Sequence, residues 1–244
     1  MLKTILTKTV LLWTLAGSSA ISFGVWRYFS PVLPGARVAL LYDRSKSAPP
    51  GCDSVVALAQ RALTLPDLRP GSTLTFFATG TSVTSLEPSL VRMYPLPVGR
   101  LATEAPRRLR ERQDTFAKDL RGRCMSLPRA SISPLFRAVK EIIAQLRAGG
   151  SNKPTALYLL VRSDLRETAD PAIKRALSKS SATRRALIDN HGVHISFCGL
   201  AETLGSRSDA SSGVDHIQAV WTTLFTDPEL VTFEPYCPTT PEAR

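Results

Sequence analysis

The sequence predicts an α/β fold: a Rossmann-like three-layer sandwich with a mostly parallel central sheet and helices on both faces. Two observations carry this prediction. Short apolar segments alternate along the chain with longer segments whose apolar residues recur every three or four positions. Strands separated by helices require crossover connections, which make the strands parallel and place helices against the sheet. About 210 residues remain after an N-terminal segment of about 30, enough for one domain with a full core.

The predicted strands are apolar runs bounded by turn residues. The first, 38–42, is a continuous apolar run, as buried parallel strands are, and 155–161 is the strongest candidate for a buried strand. Segment 91–98 contains prolines, which exclude it from the centre of a sheet and predict an edge strand. The complete set of predicted strands is 38–42, 73–78, 91–98, 155–161, 194–200 and 231–235.

The predicted helices carry apolar residues at helical spacing. Segment 53–65 ends at Pro66, and segment 134–147 has a clear apolar face and is followed by two glycines. The basic stretch 106–123 is predicted as a helix that starts at Thr103. The remaining predicted helices are 171–179, 213–226 and, as an open possibility, 182–190.

The N-terminal segment predicts export. Residues 9–26 contain no charged residue and are just long enough to span a bilayer, and Lys3 and Lys8 precede them. We interpret 1–30 as an uncleaved membrane anchor with a cytoplasmic N-terminus, which makes the chain a single-pass membrane protein with an extracytoplasmic or periplasmic domain. A cleaved signal peptide ending among the small residues 17–20 is the alternative, and it exports the domain equally. The remaining boundaries are a linker at 31–36, the folded domain at 37–237 and a tail at 238–244.

The net charge of +11 indicates a basic surface, which is compatible with an acidic partner. Acidic residues interrupt the most basic stretch, and Phe116 is its single aromatic residue, so nucleic acid is not an expected partner. The chain has no P-loop, GxSxG or HExxH motif, and we predict that it is not an enzyme.

Polar residues directly follow two predicted strands. The chain reads DRSKS over 43–47 and RSDL over 162–165, and between them a predicted helix opens with SISPL over 131–135. Ligands of parallel α/β sheets bind beyond the carboxyl ends of the strands. Alternating carboxylate and hydroxyl oxygens suit a hard cation such as Mg²⁺. Taken singly, each segment also fits an ordinary turn or helix cap.

Together, these segments resemble the von Willebrand factor type A family. The DxSxS pattern after an apolar strand is similar to the family's first metal-site segment, Ser133-Pro134-Leu135 to its Thr-Pro-Leu helix start, and Ser163-Asp164 to its Ser-Asp segment. They occur in the family's order, over roughly 37–235. The resemblance implies adhesion through a divalent cation, Mg²⁺ or else Mn²⁺ or Ca²⁺, completed by an acidic residue of a protein partner. The implied ligands are Asp43, Ser45, Ser47, Ser133 and Asp164.

The chain also departs from the family pattern. Ser133 replaces the family's threonine, and Ser131 could compete for its role. Arg44 and Arg162 flank the predicted site; turned inward they would repel a dication and could replace it as the partner of Asp43, and turned outward they would favour an acidic partner or phosphate.

Three functions remain open. The leading interpretation is a membrane-tethered binding module that uses a divalent cation. The first alternative is a metal-free scaffold of an envelope or secretion assembly. The second is a metal-dependent hydrolase that uses Asp43 and Asp164, although no His or Glu is obviously placed as its general base.

Four cysteines without a CxxC pair, in an exported domain, suggest two disulfides. In the fold that the resemblance implies, Cys52 and Cys124 lie near one rim, where a bond would brace the site, and Cys198 and Cys237 could pair likewise. The sequence alone permits three connectivities, and four reduced, buried thiols are the alternative.

Overall fold

The computed structural model describes residues 35–46, 51–68, 72–79, 86–88, 105–148, 156–166, 170–178, 186–202 and 210–238. The chain divides into two compact units, Met1–Leu33 and Pro34–Arg244, and all described residues belong to the second. The predicted anchor at 1–30 lies outside the described residues. Within the described ranges, no helix combines the length and the apolar character needed to cross a membrane.

In the part of the chain that the structure describes, six strands form one sheet in the order β3-β2-β1-β4-β5-β6. Every neighbouring pair is parallel except β2 and β3, which are antiparallel, so the predicted mostly parallel sheet is confirmed. The strand order reverses at β1: β2 and β3 lie on one side of it, and β4, β5 and β6 lie on the other. In sheets of this kind, ligands bind at such a reversal, which here is the gap between β1 and β4. The strands are β1 (Arg37–Tyr42), β2 (Thr73–Thr79), β3 (Leu86–Pro88), β4 (Leu157–Arg162), β5 (Val193–Cys198) and β6 (Val231–Glu234).

The antiparallel edge strand is formed by β3, whose three residues pair with the end of β2. The sequence placed an edge strand at 91–98, which lies outside the described residues. Pro88 suits this position, because an edge strand leaves one row of backbone groups unpaired and tolerates a missing N–H.

Among the described residues, five helices cover the sheet, together with a 3-10 turn at Pro228–Leu230. The helices are α1 (Cys52–Ala62), α2 (Ala105–Ser126), α3 (Leu135–Ala148), α4 (Pro171–Ser178) and α5 (Ala210–Thr222). Their predicted counterparts are confirmed within a few residues, although α1 and α5 end three and four residues earlier than predicted.

The possible helix at 182–190 is wrong where it is described, because residues 186–190 are not helical. Their backbone is paired with the segment after α5 instead. Leu187 N and Ile188 N both donate to Leu224 O, and Thr226 N donates to Ile188 O. Backbone groups used in this way are not available for the i to i−4 bonds of a helix.

Both faces of the sheet are buried, which confirms the three layers. Ala39 and Leu41 of β1 point to one face, where they join a cluster with α3, α4 and α5. Val38 and Leu40 point to the other face, where they join a cluster with α1 and α2. The alternation follows from the two-residue period of a strand, and a strand buried on both faces must be apolar throughout.

Two disulfides hold the edge at which the parallel strands end. Cys52, the first residue of α1, is bonded to Cys124 near the end of α2, with a Cα–Cα distance of 5.7 Å. Cys198, the last residue of β5, is bonded to Cys237 beyond β6, with a Cα–Cα distance of 4.8 Å. The expected pairing is therefore confirmed.

Candidate functional site

The polar centre of the domain is the Asp43 carboxylate, which is fully buried directly after β1. Its Oδ2 accepts hydrogen bonds from Ser133 Oγ at 2.9 Å and from Ser163 Oγ at 2.7 Å. Its Oδ1 accepts from the backbone N of Ser45 at 2.9 Å and from Thr79 Oγ1 at 3.4 Å. Three segments that are distant in sequence thus converge on the side chain of Asp43, together with its own loop.

This carboxylate lies at the gap between β1 and β4. The backbone N of Asp43 donates to Arg162 O at 3.0 Å, which continues the pairing of the two strands by one residue. Ser163 N then donates to Cys198 O at 3.1 Å, which ties the loop after β4 to the end of β5. The Asp43 centre is therefore positioned by the backbone of the central strands.

A short bridge holds the loop after β1. Ser45 pairs with Ala130 in a parallel bridge, in which Ala130 N donates to Arg44 O at 2.8 Å and Lys46 N donates to Ala130 O at 3.0 Å. Arg129 Nη2 donates to two successive carbonyls of the loop, Ser45 O at 2.8 Å and Lys46 O at 3.1 Å. The segment that fixes this loop leads directly to Ser133, which lies just before α3 and whose hydroxyl bonds to Asp43.

The loop after β4 has a strained backbone that local contacts stabilise. Leu165 is buried and adopts a left-handed φ of 58°, which is costly for a branched side chain. Its N donates to Ser163 Oγ at 2.9 Å, and its O accepts from Trp221 Nε1 at 2.9 Å. Asp164 Oδ1 accepts from Arg166 N at 3.2 Å. These bonds fix the conformation in which the Ser163 hydroxyl reaches the centre.

Both flanking arginines turn inward. Arg44 is buried, its Nε donates to Thr79 O, and its backbone N donates to Thr79 Oγ1 at 2.9 Å. Arg162 is also buried; its Nη2 lies 3.0 Å from Glu202 Oε2, and its guanidinium lies 5.8 Å from the centre of the Tyr42 ring. Burial lowers the pKa of Arg162, and the charge of Glu202 opposes this shift. Both side chains are thus turned into the protein, where they contact Thr79 and Glu202, and their replacement of a cation as the partner of Asp43 stays a prediction.

The Arg162 side chain connects the two disulfide-bonded regions. Glu202, its ion-pair partner, also accepts a hydrogen bond at Oε1 from the backbone N of Cys237, at 3.0 Å. On the other side, a Cβ at Gly51 would lie 2.4 Å from Arg162 Nη2. Glycine before α1 therefore leaves the room that this guanidinium needs.

Four of the five predicted ligands lie at this edge of the sheet, and Ser47 lies outside the described residues. Ser133, and not the exposed Ser131, bonds to Asp43. Ser45 reaches the same carboxylate through its backbone N, and Asp164 is buried in the next loop. Their role as metal ligands stays a prediction.

The sequence patterns did not single out three of the residues that shape this centre: Thr79, Arg129 and Trp221. For Thr79 a signal existed, because it ends an apolar strand at the same edge of the sheet. Arg129 and Trp221 act on residues 84 and 56 positions away, and no local pattern predicts contacts over such separations.

The donor set fits a hard cation by ligand type, because carboxylate and hydroxyl oxygens are the groups that Mg²⁺ prefers. Asp43 and Asp164 would supply carboxylates, and Ser45 and Ser133 would supply hydroxyls. Among the described residues, no three His, Cys, Asp or Glu side chains come together as a metal-binding group. A cation at this centre would therefore depend on serine oxygens and on groups from outside the domain.

No family model matches the sequence, and no curated protein matches it. The solved structures that are similar include an aerotolerance-related membrane protein from Bacteroides fragilis, carrying multiple mutations to serines, with 12% identity and a TM-score of 0.37 over 68% of this chain and 67% of that chain. Another is the conserved hypothetical protein BatB from Bacteroides thetaiotaomicron, with 13% identity and a TM-score of 0.39 over 84% of this chain and 92% of that chain.

The described residues define a Rossmann-like α/β domain with a buried polar centre between β1 and β4. The order of the elements and of the site segments is consistent with the type A resemblance.

Proposed function

We propose that this chain is a membrane-tethered, extracytoplasmic binding module that engages an acidic group of a protein partner through a divalent cation at Asp43. The observation that supports the proposal is the convergence of the Ser133 and Ser163 hydroxyls on Asp43, at the ligand-binding gap of the sheet. The candidate protein ligands are Asp43, Ser45, Ser47, Ser133 and Asp164. The cation would supply an open coordination position for a carboxylate of the partner.

The charges near this centre suit such a partner. The side chains of Lys46, Arg129 and Arg166 are exposed and belong to the two loops that form the centre or to the segment bonded to them. A positive rim attracts an acidic surface and raises the rate of association, and this effect weakens as salt is added.

A metal-free scaffold is the second candidate, and one observation favours it. Both oxygens of the buried Asp43 carboxylate accept hydrogen bonds from protein groups. Buried carboxylates satisfied in this way are stable parts of a fold. No comparable observation among the described residues favours the hydrolase, and we propose no catalytic activity.

A calorimetric titration separates the two candidates. Mn²⁺ is titrated into the full chain with its disulfides oxidised, in a buffer containing acetate, whose carboxylate stands for that of the partner. The control variant Asp119→Ala removes an exposed carboxylate from α2. Saturable binding in wild type and in Asp119→Ala, but not in Asp43→Ala, is expected. Equal binding in all three proteins, or none in any, would reject the cation and leave the scaffold.

A further inference from the structure

The buried charges around Asp43 are balanced without a cation. Asp43 and Asp164 are each no more than 1% exposed, and so are Arg44 and Arg162. Burying a charge costs several kcal/mol unless an opposite charge or hydrogen bonds compensate it. The two fully buried carboxylates at this edge of the sheet are therefore matched in number by two fully buried guanidiniums.

These groups belong to one connected network. Thr79 contacts both Arg44 and Asp43, because its O accepts from Arg44 Nε and its Oγ1 lies 3.4 Å from Asp43 Oδ1. The second arginine, Arg162, is linked to Asp43 through its backbone, because its carbonyl accepts the backbone N–H of Asp43, while its guanidinium is held by Glu202. The guanidiniums and the carboxylate are thus held at fixed positions by the ends of β1, β2 and β4.

Other charged groups nearby do not alter the balance. Glu202, with 21% of its side chain exposed, is the ion-pair partner of Arg162. Arg129 approaches the same loop from the other side, and its charge further disfavours the charged form of Arg162. Arg166 Nε lies 4.0 Å from Asp164 Oδ2, so Glu202 and Arg166 add one carboxylate and one guanidinium as ion-pair partners of buried groups. Arg129 and Lys46 are exposed, and solvent screens their charges.

We infer that Arg44 and Arg162 are built-in counter-charges, which keep the Asp43 centre neutral and folded without a cation and make retention of a divalent cation depend on a carboxylate that enters with it. The first half follows from the buried charges alone, and the second half rests on the proposed function. A dication at a neutral, buried centre would leave two charges uncompensated, and a carboxylate from a partner removes one of them.

The first test measures the balance without any cation. The urea-induced unfolding of wild type, Asp43→Asn, Arg44→Gln and the double variant is compared in EDTA. Each single variant leaves a buried charge uncompensated, so the double variant is expected to lose clearly less stability than the sum of the single losses. The matched control is Arg137→Gln, an exposed arginine of α3 paired with Glu141, which is expected to add to Asp43→Asn without coupling. Additive losses for Asp43→Asn and Arg44→Gln would overturn the inference.

The second test compares two buffers on the wild-type chain before any variant is used. Mn²⁺ is titrated into the wild-type chain in chloride and in acetate at equal ionic strength. Affinity is expected to be at least about tenfold higher in acetate, because Coulomb energies at buried sites are large enough for one charge to have that effect. Arg44→Gln, where it folds, is expected to bind Mn²⁺ in chloride about tenfold more tightly than wild type, while Arg44→Lys keeps the wild-type affinity.

The outcomes separate the inference from the proposed function. Equal affinities in chloride and acetate would overturn the dependence on a carboxylate while leaving a cation site in place. Coupling in EDTA together with no Mn²⁺ binding in either buffer would reject the cation function and support the arginines as the permanent counter-charges of a scaffold.

Discussion

Removing both hydroxyls that bond to Asp43 is expected to lower the free energy of unfolding by more than the sum of the two single losses. Ser133→Ala removes one donor to Oδ2 and Ser163→Ala removes the other, which also accepts from Leu165 N. A hydrogen bond to a charged group is worth about 1.5–3 kcal/mol, so we expect losses of about 2 kcal/mol for Ser133→Ala and about 2–3 kcal/mol for Ser163→Ala. When one hydroxyl is removed, the other still bonds to Oδ2. When both are removed, the buried oxygen loses both, at an additional cost of about 1–3 kcal/mol.

The assay is urea-induced unfolding in EDTA, followed by circular dichroism, for the wild type, both single variants and the double variant. The control is Ser126→Ala, whose exposed hydroxyl donates to a backbone carbonyl at the end of α2 and whose loss is expected to cost less than about 0.5 kcal/mol. If the two losses at Ser133 and Ser163 simply add, or if each is as small as the control, the hydroxyls do not hold the carboxylate and the argument fails.

Three further predictions concern the surroundings of the site. Replacing Cys52 and Cys124 together by serine opens a loop of 72 residues and is expected to lower the free energy of unfolding by about 4 kcal/mol, measurable by calorimetry; an unchanged melting temperature would contradict the bond. Trp221→Phe removes the hydrogen bond to the strained loop after β4 and is expected to cost about 2–4 kcal/mol and to speed amide exchange in that loop; unchanged exchange would argue against a supporting role. Burial and the hydrogen bond to Asp67 raise the pKa of Tyr158 to about 12, so ultraviolet titration should show a late phenol that Tyr158→Phe removes, and the associated stability should be present below pH about 10 and lost towards pH about 12. Asp67→Asn is expected to lower that pKa, and an unchanged titration would contradict the assignment.

The proposed binding module and the scaffold share the same folded domain and differ only in what the centre binds. The buried arginines bear on this distinction, because the positive charge that they supply next to the buried carboxylates would otherwise have to come from a cation. A domain with this balance does not need a metal to fold. Loss of divalent cations is therefore expected to affect partner binding and to leave the free energy of unfolding nearly unchanged.

Local sequence patterns predicted most of the elements because their signals are short in range. The helix predicted at 134–147 is observed at Leu135–Ala148, and the strand predicted at 155–161 is observed at Leu157–Arg162. In both, the spacing of apolar residues reports the face that the core buries, and that spacing is visible within one segment. The predicted ends were less accurate, since a helix such as α5 ends where its backbone is captured by residues from another part of the chain.

The candidate site was predictable only in part. Asp43 and Ser133 could be placed at one edge of the sheet because parallel strands all end on the same side. The contact of Thr79 with Asp43 and the hydrogen bonds from Arg129 to the loop after β1 depend on which segments are neighbours in space. The strand order, which no local pattern shows, determines those neighbours.

The sequence by itself determined the class of fold, the order of its elements and the edge on which the polar residues gather. The reason is that the period of apolar residues and the direction of parallel strands are properties of the chain. Only the tertiary structure decided that Arg44 and Arg162 turn inward, that Cys52 pairs with Cys124, and that residues 186–190 pair with the segment after α5. A charge or a backbone group removed from water must find a partner among groups that the fold brings together from distant positions, and a disulfide requires two cysteines that the fold places at bonding distance.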